Sequence, residues 1–196
     1  MILVTGSTGY IGFHICEMLE LKKIPYFGID NFSRSLSKNI INKKKFLKID
    51  INSKDIPSLL KSKKIHTIIH TAAFSFPPES ENNKEIYYKN NILKTKKFID
   101  NCSKGKIKRF IFLSSSNVYN FSLKSIKPAK ESQKLNPENY YGKTKSIIEK
   151  YLKKKFKICI ILRLFNIAGY SNKREFNEFK NKFRRIMPVL NEATRK

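Results

Sequence analysis

The first twelve residues constrain the fold more than any other stretch of the chain, because an apolar run passes directly into a glycine-rich turn. Gly6 would allow a sharp reversal, Gly9 would let a ligand approach the backbone, and Gly12 would let a helix pack closely on the strand. The pattern therefore predicts a strand, a tight turn and a helix. The N–H groups of the first helical turn would face an anion, such as the diphosphate of a dinucleotide. Taken alone, the pattern is also compatible with a glycine-rich turn that binds nothing.

A second apolar run ends in an acidic residue at the distance expected for a ribose contact. Residues 24–29 are followed by Asp30 and Asn31, the position at which a dinucleotide-binding unit holds its adenosine ribose. A carboxylate accepts hydrogen bonds from the ribose hydroxyl groups and repels a 2′-phosphate. Asp30 therefore favours NAD over NADP, although an Asp-Asn pair after a strand also occurs in ordinary turns.

Length and composition indicate one globular domain. The chain has 196 residues, of which 40% are hydrophobic, and this is enough to bury a full core. The first strand begins at Met1 and no apolar run approaches the roughly 20 residues that span a bilayer, so we expect a cytoplasmic protein with no signal peptide and no membrane partner. The scattered Cys16, Cys102 and Cys159 lack metal-ligand spacing and are expected in the core.

The formal net charge of +26 would ordinarily indicate a polyanionic partner. The basic residues, however, are mostly lysines spread over every segment, whereas specific recognition of phosphates and bases relies on arginines placed in one patch. Abundant Lys, Asn and Ile are typical of codon bias in an AT-rich genome. We therefore expect no specific nucleic-acid partner, only weak and salt-sensitive binding to nucleic acid.

Apolar runs and helical patterns alternate along the rest of the chain. We predict further strands at residues 46–51, 65–70, 108–113 and 157–165 and helices at residues 55–63, 77–101 and 141–155. Small residues follow the strand at 65–70, where Thr71, Ala72 and Ala73 would let a cofactor lie against the backbone. Strands that alternate with helices predict an α/β fold, a doubly wound parallel sheet of the Rossmann type with about six strands.

Tyr141 and Lys145 lie four residues apart in a predicted helix and therefore project from one face. A lysine ammonium favours the phenolate and lowers the pKa of a tyrosine, which makes the tyrosine a usable base at neutral pH. The helix follows a serine-rich strand exit at the carboxyl end of the sheet, where open α/β sheets bind ligands. Ser115 in that exit could orient a substrate hydroxyl, although such serines also satisfy backbone groups at strand ends.

The same spacing is expected by chance elsewhere in a lysine-rich chain. Tyr151 and Lys155 repeat it deeper in the helix, far from the ligand edge, and we assign them no catalytic role. His14, His66 and His70 are expected to pack in the core or line a cofactor rather than to act as bases.

These segments together resemble the extended short-chain dehydrogenase/reductase superfamily and, within it, are most similar to the UDP-glucose 4-epimerases. The resemblance runs from Met1 to about Ala193, and its motifs lie at residues 5–12, 30–31, 50–51, 70–73, 78–80, 87–91, 113–119, 141–145 and 163–169. It implies that NAD takes a hydride from sugar C4 to give a 4-keto sugar. This intermediate then rotates in the site and is reduced from its other face.

The resemblance also implies roles for individual residues. Tyr141 would be the base, Lys145 would tune it and hold the nicotinamide ribose, and Ser115 would bond the sugar oxygen. The implied cofactor-binding residues are Gly6, Gly9, Tyr10, Ile11, Gly12, Asp30, Asn31, Asp50, Ile51, Thr71, Ala72, Ala73, Asn90, Lys145 and Phe165. The implied substrate-binding residues are Ser115, Tyr141 and Asn166, of which the last would meet the phosphates of the nucleotide sugar, and no metal is implied.

Two features of the chain bear on what this resemblance implies. Related sugar dehydratases carry an Asp-Glu pair just beyond the serine or threonine, whereas this chain has Ser116 and Asn117, which weighs against dehydration. The family also continues well past the equivalent of residues 188–191. We therefore expect an NAD-binding domain at residues 1–170 and the start of an incomplete substrate-binding region at residues 171–196.

The leading hypothesis is an NAD-dependent epimerase that interconverts UDP-glucose and UDP-galactose, or a shortened descendant of one. Its partner would be a UDP-sugar, and a homodimer is the candidate assembly. Three alternatives stay open: a noncatalytic NAD-binding remnant or sensor, another nucleotide-sugar enzyme of the superfamily such as a dehydratase or decarboxylase, and a nucleic-acid-binding module favoured by charge alone.

Overall fold

The fold was obtained as a computed structural model, and the structure describes residues 1–120, 128–169 and 171. Part of the polar loop predicted at residues 120–139, and all but one residue of the segment 171–196, lie outside the described residues. The strands are β1 (Ile2–Thr5), β2 (Tyr26–Asp30), β3 (Phe46–Lys48), β4 (Thr67–His70), β5 (Arg109–Ser115) and β6 (Cys159–Leu164). The helices are α1 (Tyr10–Leu21), α2 (Ile56–Ser62), α3 (Pro77–Asn82), α4 (Lys84–Tyr87), a π-helical segment (Tyr88–Lys94), α5 (Thr95–Ser103) and α6 (Tyr140–Lys155).

The six strands form one parallel sheet in the order β3-β2-β1-β4-β5-β6. β1 lies inside the sheet, with Leu3 opposite Phe27 of β2 on one side and Ile68 of β4 on the other. The direction in which strands are added reverses at β1, and ligands of such sheets bind outside the carboxyl ends of the strands near this point. The prediction of a doubly wound α/β sheet of about six strands is confirmed.

Helices cover both faces of this sheet. On one face α1 contributes Phe13, Cys16 and Leu19 to a cluster with Val4 and Tyr26. On the other face α2, α5 and α6 contribute the larger cluster, which includes Ile56, Leu60, Phe98, Ile99, Ile148 and Leu152. Cys16 and Cys102 are buried free thiols and Cys159 is partly buried. Within the described residues, no helix is long and apolar enough to cross a bilayer.

The prediction of one continuous helix at residues 77–101 was wrong at one point, Asn83, since the chain is helical before it and then continuously from Lys84 to Ser103 through the π-helical segment. Asn83 has φ −128° and ψ 46°, which lies outside the helical region and separates α3 from α4. The hydroxyl of Tyr87 explains the break, since it accepts a hydrogen bond from Phe76 N at 3.1 Å and donates one to Phe76 O at 2.9 Å. This anchor buries Tyr87 and leaves Tyr88 exposed, a long-range effect that helical periodicity does not reveal.

At two carboxyl ends the strands differ from the prediction by two residues or more. β3 ends at Lys48 and not at residue 51, because the carboxylate of Asp50 accepts a hydrogen bond from Asn52 N at 3.1 Å and starts a turn. β5 extends through Ser114 and Ser115, where Ser115 pairs with Leu164 of β6. The serines therefore lie in the last residues of the strand, at the carboxyl edge of the sheet.

Candidate active site

The glycine-rich turn lies between β1 and α1, at the carboxyl edge of the sheet. Gly6 has φ +67°, in the left-handed region that favours glycine, and a Cβ there would lie 2.7 Å from Ala72 N. A Cβ on Gly12 would lie 2.1 Å from Gly6 O. The first turn of α1 thus packs directly on the backbone of the turn, and neither position has room for a larger residue.

The amino end of α1 is suited to an anion. Gly9 precedes the helix and provides no side-chain cap, and the N–H groups of a first helical turn have no acceptor within their own helix. Ile11 and Gly12 lie in this turn, next to the glycine cradle that a Cβ would fill. Uncapped N–H groups at a helix start attract phosphates, so the residues present here fit the diphosphate of NAD.

Asp30 ends β2 beside this turn and connects it to the following loop. Its carboxylate accepts hydrogen bonds from Thr8 N at 3.2 Å, from Phe32 N at 2.8 Å and from Ser35 Oγ at 3.1 Å. Asp30 is only partly buried, so the carboxylate remains accessible to ribose hydroxyl groups. Its role in disfavouring a 2′-phosphate stays a prediction.

Asp50 and Asn31 meet at the exits of the neighbouring strands. Asn31 Nδ2 donates to Asp50 Oδ2 at 2.8 Å, and Lys94 Nζ from the π-helical segment donates to the same oxygen at 2.7 Å. Burial raises the pKa of Asp50, but hydrogen bonds from Lys94, Asn52 and Asn31 outweigh this effect and hold the pKa below its ordinary value. Ile51 beside it is buried. The sequence did not single out Lys94, since one lysine in a lysine-rich helix carries no distinguishing signal.

The small residues after β4 pack against the glycine turn. Thr71 Oγ1 donates to Thr5 O at 2.6 Å, and the backbone of Ala72 lies where a side chain on Gly6 would be. Ala73 continues this segment, which is only partly buried. The predicted contact of this segment with a cofactor stays a prediction.

Asn90 and Asn91 have different environments in the π-helical segment. Asn91 is buried, and its side chain accepts from Phe74 N and donates to Phe74 O, both at 2.9 Å. It also donates to Thr144 Oγ1 at 3.4 Å, which connects the loop after β4 to α6. Asn90 is partly exposed, and its contact with a cofactor stays a prediction.

Ser115 is connected to the first turn of α6 by a chain of side-chain hydrogen bonds. Its Oγ accepts from Asn117 N at 3.2 Å and from Asn117 Nδ2 at 3.1 Å. Asn139 Nδ2 donates to Asn117 Oδ1 at 2.7 Å, and Asn139 caps α6 by accepting from Gly142 N at 2.8 Å. A Cβ on Gly142 would lie 2.0 Å from Asn117 O. Glycine therefore permits the close approach that brings Tyr141 towards the end of β5.

Tyr141 and Lys145 are both buried in α6. Lys145 Nζ lies 5.8 Å from the centre of the Tyr141 ring and donates to Leu113 O of β5 at 2.7 Å. Burial lowers the pKa of Lys145 to about 7, and the carboxylate of Glu149 acts in the opposite direction. An amine whose pKa lies near the working pH can support proton transfer by a neighbouring phenol. The structure thus brings Ser115, Tyr141 and Lys145 to one end of β5 and α6.

The second tyrosine–lysine pair has a different environment at the far end of α6. Tyr151 Oη donates to the two carboxylate oxygens of Asp100 at 2.8 and 2.9 Å, and Lys155 Nζ lies 2.7 Å from the same carboxylate. This pair joins α6 to α5. Identical spacing therefore serves packing at one end of the helix and a candidate site at the other.

A family model described as the NAD dependent epimerase/dehydratase family matches residues 2–192 of the chain. The chain belongs to this family. The match includes the glycine turn, the serines at the end of β5 and the tyrosine–lysine pair of α6. NAD is the cofactor of the family, in agreement with the fit of the residues around the glycine turn.

Three proteins similar to this chain are sugar-nucleotide epimerases. The chain is 32% identical over 182 residues to a UDP-glucose 4-epimerase of Lactobacillus helveticus, covering 90% of this chain and 54% of that protein. The crystal structure of UDP-glucose 4-epimerase from Brucella ovis in complex with NAD aligns with a TM-score of 0.88 at 27% identity, covering 100% of this chain and 61% of that one. A UDP-glucuronic acid 4-epimerase from Bacillus cereus, in complex with UDP-glucuronic acid and NAD, aligns with a TM-score of 0.71 at 32% identity, covering 83% of this chain and 55% of that one. The chain spans about half the length of the curated relatives it matches.

In this member of the epimerase/dehydratase family, a buried ion pair lies behind the candidate site, and the sequence did not predict it. Glu149, one turn beyond Lys145, accepts from Ser114 Oγ at 2.5 Å and from Arg163 Nη2 at 2.8 Å. Arg163 Nη1 also donates a hydrogen bond to Tyr119 Oη at 2.8 Å. The only sequence signal for Glu149 was its spacing of four residues from Lys145.

Phe165 and Asn166 leave β6 at the same edge of this epimerase/dehydratase fold. Both are exposed, and they follow Leu164, the residue that pairs with Ser115. Tyr10 Oη donates to Gly169 O at 2.7 Å, which holds the chain after β6 close to the start of α1. The predicted cofactor contact of Phe165 and the predicted substrate contact of Asn166 are therefore placed beside the candidate site.

Proposed function

We propose that this chain binds NAD and acts in the 4-epimerisation of a UDP-sugar, interconverting UDP-glucose and UDP-galactose through a 4-keto sugar. The observation that carries the proposal is the convergence of Ser115, Tyr141 and Lys145, with Lys145 Nζ 5.8 Å from the Tyr141 ring and Ser115 linked to the cap of the same helix. Membership of the family and the epimerases among its relatives support it.

The proposed cofactor site uses three groups of residues along the carboxyl edge. The glycine turn and the first turn of α1 hold the diphosphate, Asp30 and Asn31 hold the adenosine ribose, and Asp50 and Ile51 flank the adenine. Thr71, Ala72, Ala73, Asn90 and Phe165 border the rest of the molecule. When bound, NAD accepts a hydride from the sugar and returns it.

The chemistry that we assign to the protein is proton transfer and orientation. Tyr141 takes the proton of the sugar 4-hydroxyl and later returns it, and the ammonium of Lys145 favours the phenolate form. Ser115 Oγ already accepts two hydrogen bonds from Asn117, so its O–H has to be donated elsewhere. The sugar oxygen is the acceptor that we assign to it.

A noncatalytic NAD-binding protein is the second candidate. The observation that favours it is the hydrogen bond of 2.7 Å that Lys145 Nζ donates to Leu113 O, because this bond directs the amine to the backbone of β5. The proposed cofactor contacts lie between residues 6 and 165, and Asn166, which directly follows them, is the residue assigned to the nucleotide phosphates. Efficient transfer needs the reacting carbon held in place, worth up to roughly 7 to 11 kcal/mol in well-oriented systems, and remote contacts supply that orientation.

Calorimetric titration with NAD, followed by an assay of UDP-galactose turnover, tests the proposal. We expect one NAD site per chain and an activity that Tyr141→Phe abolishes. The matched control is Tyr151→Phe, which makes the same change in the same helix at a tyrosine with the same lysine spacing and should leave the activity unchanged. Failure to bind NAD would overturn both candidates, NAD binding with no turnover would select the noncatalytic one, and activity that survives Tyr141→Phe would mean that another residue is the base.

A further inference from the structure

Lysines that are dispersed along the sequence gather at one edge of the folded sheet. All strands are parallel, so every segment that enters a strand lies at the amino edge, opposite the candidate active site. The register aligns these entries, since Ile2 lies between Tyr26 and Thr67, and Thr67 lies beside Arg109. The entry loops and adjoining helix ends carry Lys22, Lys23, Lys43, Lys44, Lys45, Lys63, Lys64, Lys104, Lys106, Lys108, Lys153, Lys154, Lys155 and Lys157.

Within the described residues, carboxylates neutralise lysines of this edge in two ion pairs. Lys45 Nζ lies 2.8 Å from Glu20, and Lys155 Nζ lies 2.7 Å from Asp100. At the opposite edge, by comparison, Lys94 is paired with the carboxylate of Asp50 at 2.7 Å. Attraction to helix carboxyl ends accounts for lysines in last helical turns, but not for those such as Lys106 that lie in the loops beyond.

A cavity of about 440 Å³ opens within this edge, between the segments that enter β2 and β3. Its volume falls within the range of small-molecule sites, roughly 300 to 1,000 Å³. Its lining includes Lys23, Lys44, Lys45 and Lys63, a single carboxylate, Glu20, and the apolar Ile24. Lysines thus line a concave site, where low-dielectric walls strengthen their attraction for an anion.

Of the four lysines in the cavity lining, Lys45 is the one that forms an ion pair within the described residues. Glu20 accepts from Lys45 Nζ at 2.8 Å and from Asn42 Nδ2 at 3.2 Å. Lys63 Nζ lies 4.6 Å from the centre of the Phe27 ring, which supports this ammonium against the wall of the cavity. Within the described residues, Lys23, Lys44 and Lys63 form no ion pair, so these three lysines contribute uncompensated positive charge to the cavity.

We propose that this cavity binds the phosphate chain of a polyphosphorylated anion, either a linear inorganic polyphosphate or the triphosphate of a nucleotide. Three separate ammonium groups match a chain of linked phosphates better than one compact anion. Lysine contacts phosphate as a point charge and tolerates a flexible geometry, whereas bidentate recognition of a single phosphate would call for arginine. The site lies at the opposite ends of the strands from the glycine turn, so it is independent of NAD and of the proposed function.

Isothermal titration with inorganic tripolyphosphate and, separately, with ATP tests this site in the full chain at moderate salt. The test variant replaces Lys23, Lys44 and Lys63 by glutamine, which keeps most of each stem and removes the charge. The matched control replaces Lys38, Lys97 and Lys134, which are exposed, form no ion pair in the described residues and lie outside the cavity. Thermal melting of both variants checks that each is folded.

We expect binding of at least one probe to fall by about tenfold or more in the cavity variant and to change little in the control, which has the same net charge. If tripolyphosphate binds more tightly than ATP, the ligand is an inorganic polyphosphate. If ATP binds more tightly than tripolyphosphate, the ligand is the triphosphate of a nucleotide. Saturating NAD should leave the binding intact. No binding of either probe, equal loss in both triple variants, or displacement by NAD would overturn the proposal.

Discussion

Arg163 of β6 and Glu149 of α6 form an ion pair at 2.8 Å, with side chains 13% and 1% exposed. The pair stands directly behind Ser114, which donates to the same carboxylate at 2.5 Å. Because Arg163 also reaches Tyr119, one guanidinium connects the last strand described, the helix of the candidate site and the turn after Ser115. The relative positions of Ser115 and Tyr141 therefore depend on this buried charge pair.

Removal of one partner should destabilise the protein strongly. Glu149→Leu leaves the guanidinium of Arg163 buried without its carboxylate, and we expect the free energy of unfolding in urea to fall by about 3 to 5 kcal/mol. The double variant Glu149→Leu with Arg163→Met should recover much of this loss, because the guanidinium of Arg163 is then no longer buried without its carboxylate. Glu85→Gln, at the exposed Lys89–Glu85 pair, is the control and should not move the urea midpoint. A single variant as stable as the parent would contradict the assignment.

Gly142→Ala should separate α6 from the turn after Ser115. Its added methyl group would lie 2.0 Å from Asn117 O, so the helix start has to shift, at a cost of about 1 to 3 kcal/mol in unfolding free energy. Gly105→Ala provides the comparison, since its Cβ would lie 3.5 Å from Cys102 O, an ordinary contact. Thermal unfolding of both variants measures the difference. Equal melting temperatures would mean that the close approach is not needed.

His70 should make the protein acid-sensitive below its ordinary pKa. Burial lowers its pKa from 6.5 to about 3, with the charge of Lys145 acting in the same direction, and its ring stacks against the rings of Phe98 and Phe112. Between these two pKa values the unfolded chain binds a proton that the folded protein does not, so stability is complete above pH 6.5 and falls as the pH is lowered. At pH 5 the loss should be about 2 kcal/mol.

Urea unfolding from pH 7 to pH 5 measures this loss. His70→Phe keeps an aromatic ring among its neighbours and removes the titration, so its unfolding free energy should vary less with pH than that of the parent. His66→Gln, at an exposed histidine, should keep most of the parent's dependence. The same slope in the parent and in His70→Phe would assign the acid sensitivity to other groups.

Asp30 should determine the preference for NAD over NADP. Asp30→Asn keeps the size of the side chain and removes the charge that would face a 2′-phosphate, and we expect the ratio of NADP to NAD affinity to rise by about tenfold or more. The exposed Asp55, which lies away from the glycine turn, gives the control Asp55→Asn with an unchanged ratio. Titration of the parent and of both variants with NAD and with NADP measures this ratio. NADP binding by the parent as tight as NAD binding would remove Asp30 from this role.

The parts of the fold and candidate site that the sequence predicts are those with a local signature. Gly6 and Gly12 stand in a short motif, and Tyr141 and Lys145 stand at a fixed helical spacing, so their positions follow from a few neighbouring residues. The parallel sheet follows from the alternation of apolar runs and helices. In each case the information lies within one element and its flanks.

The features that the sequence did not predict depend on partners distant in the chain. Asn117 meets Asn139 across 22 residues, Ser114 meets Glu149 across 35, and neither contact has a periodic pattern. The break at Asn83 similarly follows from the bonds of Tyr87 to Phe76. The clustering of lysines at one edge is invisible in a chain where lysine occurs in every segment, because strand direction alone brings the entry loops together.

The length of the strands also separates the charge of the lysine-rich edge from the glycine turn. β1 has four residues, which correspond to roughly 13 Å between the lysine-rich edge and the glycine turn. The Debye length is about 8 Å at physiological ionic strength and about 30 Å at 0.01 M salt. In dilute buffer the positive potential of the lysines therefore extends to the opposite end of the strands and draws in any anionic nucleotide, whereas at cellular ionic strength it is largely screened before it arrives there.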